Sequence, residues 1–282
     1  MTKALKFLSG GGEMGALMRA YNWDSSLLGS VDNWPQSLLT TLGILLNSKF
    51  PMFLFWGSNH VCFYNDAYRP SLGNDGKHPG ILGINGEEAW PEIWHIIKPL
   101  IYQVLADGEA NWSEDQLIPI YRNGKIEDVY WTFSYSPVKD ESGMPAGVFV
   151  TCTETTGKVN TLKKIAESNN QLNFAIEATE LGTFDFNPLT NKFIGNHYFK
   201  EWFGLQDGDE FDISIGINVI AEKDRGRVSE AVKGALEYKS GGFFDIEYSI
   251  INPITKQERT VRGKGKAWFG EDKKAYRING TL

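Results

Sequence analysis

The chain has 282 residues, 41% of them apolar and 22% charged, and carries a net charge of −7. Its length exceeds a typical domain of ~100–150 residues, so two domains are expected. The acidic balance excludes nucleic acid as a partner, because phosphate binding needs a basic face, and no apolar run approaches the ~20 residues of a bilayer span, so no membrane contact by this segment is expected.

There is no signal-peptide pattern at the N-terminus, and the chain reads as cytoplasmic. Gly10-Gly11-Gly12 follows no strand and is no phosphate loop. Two helical pieces come next, Glu13–Ala20 and Pro35–Asn47, the second with proline at its start. Asn22–Asp32 between them is expected to wrap as a loop. Phe50–Trp56 and His60–Tyr64 flank the turn Gly57-Ser58-Asn59 as a short hairpin, followed by Asn65–Leu72, a Gly-rich break, and a long helix Glu87–Ala106 closed by Asp107-Gly108. Three strand-like runs then follow: Trp112–Tyr121, Ile126–Val138 and Ala146–Thr153. Arg122-Asn123-Gly124-Lys125 joins the first two as a strong hairpin turn, since Asn and Gly accept positive φ cheaply. Phe50–Trp56 is apolar on both faces, and a strand of that kind is covered on both sides. The domain's own helices cover one face of this sheet, and the two N-terminal helical pieces, or else a neighbouring subunit, are expected to cover the other.

From Thr156 to Thr179 no proline occurs, and Leu162, Ile165, Leu172 and Ile176 fall three, seven and four apart, with Asn169 at the missing heptad position. If the segment pairs in parallel, an Asn at that position favours an in-register dimer. The alternative is a single amphipathic helix lying on its own domain's sheet. Beyond it the earlier plan repeats: strands Leu181–Asn187 and Lys192–Ile194, helices His197–Phe203, Ile213–Ile220 and Lys223–Tyr238, then strands Phe243–Asn252, Glu258–Phe269 and Ala275–Thr281. The basic stretch Arg259–Lys266 alternates along a strand and reads as a solvated sheet face, with a surface for an acidic partner as its other reading. Both cysteines, Cys62 and Cys152, lie in strand-like runs and read as reduced core thiols.

Two strands, several helices and three strands, in order twice, resemble the PAS fold over most of the chain. In the second copy, Glu222-Lys223-Asp224-Arg225-Gly226-Arg227-Val228 and Phe244-Asp245-Ile246-Glu247-Tyr248 are similar to the helix start and following strand of PAS domains common in bacterial sensor kinases, although Ile220-Ala221 stands where those have His-Pro. The first copy resembles the N-terminal PAS domain of multi-PAS sensor histidine kinases, through Asn33-Trp34-Pro35-Gln36-Ser37-Leu38, Phe50-Pro51-Met52-Phe53-Leu54, Phe63-Tyr64-Asn65-Asp66-Ala67-Tyr68-Arg69-Pro70, Trp112-Ser113-Glu114-Asp115-Gln116 and Val129–Pro137. Glu154-Thr155-Thr156 resembles the Asp-x-Thr that closes many PAS domains. The implied organisation is α+β: an N-terminal helical cap (1–48), a first PAS domain (49–155), a connecting signalling helix (156–179) and a second PAS domain (180–282). Each domain is expected to be a five-stranded antiparallel sheet with helices on one face.

The resemblance implies a sensory input module of a bacterial two-component histidine kinase: a homodimer that detects a small ligand or partner and relays it to a kinase domain in the same polypeptide, beyond this segment. A dimerisation scaffold with filled cores, or an input region for another output such as a cyclic-dinucleotide enzyme, is the alternative. Tyr64, Tyr68, Trp90, Trp94, His95, Trp131 and Tyr135 are the pocket candidates, with simple core filling as their other reading. A flavin–cysteine adduct is not expected, because Gly83-Ile84-Asn85-Gly86-Glu87 lacks the thiol of the motif it echoes. Haem is not expected either, since His95 is a lone helical histidine, and His60, His78 and His197 show no metal-ligand spacing. No catalytic motif is present, and any catalysis is expected in a C-terminal portion outside this chain.

Overall fold

Strand-forming residues between Met52 and Glu154 build the first sheet in this computed structural model, which describes residues 6–74, 76–206 and 213–282, without the side chains of 213 and 214. The chain divides into two compact units, 1–165 and 166–282. In the first, α1 (Gly12–Ala20) and α2 (Gln36–Asn47) precede β1 (Met52–Trp56) and β2 (Val61–Tyr64). Then come α3 (Gly86–Ala89), α4 (Trp94–Asp107), β3 (Asn111–Leu117), β4 (Ile120–Arg122), β5 (Lys125–Glu127), β6 (Tyr130–Lys139) and β7 (Pro145–Glu154). The sheet is antiparallel in the order β2-β1-β7-β6-β3.

Two expectations need correction. The strand expected over Trp112–Tyr121 breaks after Leu117. Pro119 has no N–H to give the ladder, and the β3–β6 register slips between Ser113 and Gln116, where Asp115 takes φ 49°. The Asn123-Gly124 turn forms, but it closes a separate ribbon, β4–β5, and so Ile118 and Ile120 turn into the core. The single long helix expected over Glu87–Ala106 is two helices, because Pro91 cannot continue α3.

Both faces of the β1–β2 half of the sheet are covered. Phe53 and Tyr64, paired across β1 and β2, face α4's side, while Leu54 and Phe63, the next pair, face the N-terminal segment. There Phe63 stacks on Trp23 at 5.4 Å and meets the edge of Trp34 at 5.9 Å. Leu38, Leu42 and Leu45 of α2 are fully buried beside them. Asn65, directly after β2, joins these layers. Its carboxamide N–H donates to the carbonyls of Leu45 (3.1 Å), Ser48 (3.3 Å) and Phe50 (2.8 Å), and its oxygen accepts from the N–H of Met52 (3.1 Å) and Tyr68 (3.0 Å).

α5 (Thr156–Ala178) has no buried residue, and Leu162 (55% exposed), Ile165 (53%) and Leu172 (60%) leave its apolar stripe open, with Asn169 also exposed and Ile176 half-buried. Its first turns are fastened to the first unit: the Thr156 hydroxyl accepts from the Tyr130 N–H (3.0 Å), and Lys158 bridges Glu114 (3.2 Å) and Asp115 (2.9 Å). Just before the helix, Glu154 receives Arg122 in a fork of 2.8 and 2.9 Å, and Arg122 also holds Glu127 at 2.8 Å. The guanidinium lowers the Glu154 carboxyl below its ordinary 4.5. A depressed carboxylate contributes stability above its unfolded value and loses it as the pH falls through the folded one. The stability of the first unit is therefore expected to decline on acidification below about pH 4.5, and part of that decline is expected to vanish in Glu154→Gln. A chemical-denaturation series across pH, giving parallel curves for parent and variant, would refute the assignment.

The second unit repeats the plan with β8 (Thr183–Asn187), β9 (Lys192–Gly195), α6 (His197–Phe203), α7 (Ile213–Val219), α8 (Glu222–Leu236), β10 (Phe243–Ile251), β11 (Glu258–Phe269) and β12 (Ala275–Thr281). The sheet order is β10-β11-β12-β8-β9. Numbered within each unit, leaving the β4–β5 ribbon aside, both sheets run 2-1-5-4-3. Along β11 the exposed Arg262, Lys264 and Trp268 alternate with the inward Val261, Gly263 and Ala267, giving the solvated basic face expected of this strand. Asp245 pairs with Arg262 (2.7 Å) and Asp185 with Arg277 across that face.

Candidate functional site

An apolar space lies in the second unit, between the inner face of its sheet and α6–α8. Alternation along β8 sends Phe184 and Phe186 inward, β9 adds Phe193, and β10 adds Phe244 and Tyr248. On α6, Phe199 and Phe203 are one turn apart and stack at 4.1 Å. Asn196 sets this helix, accepting from the Phe199 N–H (3.0 Å) as its N-cap and donating to the Leu181 carbonyl (2.8 Å). Facing them, α8 presents Val228, Val232 and Leu236, again one turn apart. The glycines of β11 keep bulk away from this side, since a Cβ at Gly265 would stand 2.3 Å from the Phe244 ring. A cavity of about 340 Å³ remains between these walls, within the range of small-molecule pockets.

Its polar groups come from α8. Arg225, Ser229 and Lys233 form a second stripe at one-turn spacing beside the valines. Arg225 donates to the carbonyls of Ile220 (2.9 Å) and Asn218 (3.0 Å), closing the end of α7. The lining contains no Asp, Glu or His among the described residues. Burial pushes the Tyr248 phenol above its usual range, so it stays neutral.

The pocket candidates of the first unit separate into two groups. Tyr68, Trp90, Trp131 and Tyr135 come together around a cavity of only about 50 Å³, room for a few waters. Tyr64, Trp94 and His95 do not border it. The Tyr64 hydroxyl meets His78 Nδ1 at 2.8 Å, Trp94 packs on His60 at 5.6 Å between ring centres, and His95 is exposed. The Trp90 indole N–H is buried without a hydrogen-bond partner. Burial pushes the Cys152 thiol up to about 12 and Cys62 higher than usual too, which makes both poor nucleophiles. Among the described residues no group of three His, Cys, Asp or Glu is placed to hold a metal ion, and no helix is long and apolar enough to cross a membrane.

The second-unit cavity was not anticipated from the sequence. The readable signal was there: alternate Phe on β8, Phe one turn apart on α6, and the aliphatic stripe Val228, Val232 and Leu236 on α8. The ring-rich positions of the first unit instead fill space against one another, as Tyr68 and Trp131 do at 6.4 Å.

The chain matches no family model and no curated protein. It is similar to solved structures of a sensory box histidine kinase/response regulator from Burkholderia thailandensis (27% identity, 39% of this chain and 81% of that one, TM-score 0.34). A sensory box sensor histidine kinase from Vibrio cholerae aligns at 21% identity over 42% of this chain and 89% of its own, TM-score 0.30. The N-terminal domain of a diguanylate cyclase with PAS/PAC sensor from Marinobacter aquaeolei aligns at 12% identity over 36% and 91%, TM-score 0.32. The architecture rests on the strands themselves. Each unit places two strands, then helices on one face, then three strands, with the fifth strand beside the first, and the chain is thus a tandem of two α+β domains with the PAS fold.

Proposed function

We propose that this chain is the sensory input region of a signalling protein, in which the second PAS domain takes a small molecule. The observation that carries this reading is the cavity of about 340 Å³ beneath the second sheet, lined by rings and by the valines of α8. The first domain, with about 50 Å³ at the matching place, serves as a filled relay and dimerisation module. The open stripe of Leu162, Ile165 and Leu172 on α5 supports pairing of two copies along that helix, and the ion pairs at its root provide a mechanical link from the first sheet to the helix. A histidine kinase is the proposed output, by analogy with the kinases from Burkholderia and Vibrio, and a cyclic-dinucleotide enzyme is the second reading, by analogy with the Marinobacter protein.

Native mass spectrometry of the purified chain tests both halves at once. The expected spectrum is a dimer with an added mass that disappears on denaturation, and that is absent in Val232→Trp, where the indole fills the cavity. A monomer would overturn the pairing. An added mass that persists in Val232→Trp would place the ligand elsewhere.

A further inference from the structure

We infer that the ligand of the second-domain cavity is an apolar monocarboxylate, its hydrocarbon body among the phenylalanines and its carboxylate at Ser229. The inference rests on the reading of this cavity as a ligand site and deepens it. On α8, the wall stripe Val228, Val232, Leu236 and the polar stripe Arg225, Ser229, Lys233 run side by side, and both line the same space. Ser229 stands one turn from each cation, so side chains at the three positions are near neighbours on the helix surface, with Cβ atoms about 5–6 Å apart. A carboxylate accepting from the Ser229 hydroxyl lies within reach of the Lys233 ammonium on one side and of the spare N–H groups of Arg225 on the other.

The balance of charge favours one sign. Among the described residues, two cations and no anion line the cavity. Asp224, beside Arg225, is held by Arg227 at 2.7 Å and by the Ser249 N–H at 2.9 Å, and Glu230, beside Ser229, does not line the cavity. Among the described residues Lys233 forms no ion pair or side-chain hydrogen bond, whereas Arg225 is already committed to the end of α7. An unpaired ammonium at the edge of an apolar cavity gains a charge-assisted hydrogen bond from an anionic head and repels a cationic one. The apolar walls, in turn, exclude a small hydrophilic anion that cannot fill them.

The test compares octanoate, octanol and octylamine binding to the full chain by isothermal titration calorimetry at neutral pH. Octanoate is expected to bind at least about tenfold tighter than octanol, the ratio of one charge-assisted contact, and octylamine more weakly than either. Lys233→Gln is expected to erase the acid's advantage over octanol, and Ser229→Ala to reduce it in part. Equal affinity for acid and alcohol, or an advantage that survives Lys233→Gln, would overturn the carboxylate assignment while leaving the cavity a ligand site. If none of the three bound, the ligand-site reading itself would fall, and the carboxylate assignment with it.

Discussion

Replacing Asn65 with alanine is expected to destabilise the first unit by about 4 kcal/mol, because the carboxamide is fully buried and its loss strands several backbone groups. Three carbonyls, those of Leu45, Ser48 and Phe50, lose their donor, and the N–H groups of Met52 and Tyr68 lose their acceptor. Each sits where the chain changes direction: the end of α2, the entry to β1, and the turn after β2. For a unit of this size the thermal midpoint is expected to fall by roughly 8–16 °C. Asn65→Asp is expected to be worse, since it sets carboxylate oxygen against carbonyl oxygens at the same separations. Tryptophan fluorescence follows this unit selectively, as seven of the nine tryptophans lie within it. A loss of less than about 1 kcal/mol in Asn65→Ala would show that water or a local shift satisfies those groups, and that Asn65 is not what joins cap to sheet.

Removing residues 1–47 is expected to abolish cooperative folding of the first unit. The deletion strips the cover from Leu54 and Phe63, and takes with it Leu38, Leu42 and Leu45, all fully buried, together with Trp23 and Trp34. Side chains of this kind contribute about 1.5–3 kcal/mol each on burial. Their sum rivals the entire 5–15 kcal/mol that stabilises an ordinary domain. The expected product aggregates, since a sheet face bearing Phe63 and Leu54 becomes an exposed apolar patch. Recovery of a soluble protein with a single sharp tryptophan transition would mean that the first sheet is stable with one face bare, and that the N-terminal helices are an accessory.

Much of this architecture was legible in the residues, for a local reason. Alternation and β-branching marked the ten principal strands, and the spacing of turn residues marked their ends. The apolar character of Phe50–Trp56 on both sides announced a second cover, which Gln36–Asn47 provides. Where the reading failed, a single residue overrode a longer pattern. Pro119 broke one strand and Pro91 split one helix, although the surrounding residues would otherwise have continued both. The roles of Asn65 and Arg122 were not readable either. Their partners lie up to 20 and 51 residues away, and nothing at either position specifies which carbonyl or carboxylate will arrive there.

The candidate site shows the same division more sharply. The sequence by itself determined the repeat, the strand and helix periods, the apolar stripe of the connecting helix and the supply of aromatic rings, because each of these depends on residues close together in the chain. Only the tertiary structure decided which rings close on one another and which surround a space. In the first unit Tyr68 and Trp131 meet across the interior and leave about 50 Å³, whereas in the second the short side chains of α8 and the glycines of β11 leave about 340 Å³. A cavity is volume left over once distant elements have packed, and that remainder is set by the sizes of side chains that meet only after folding.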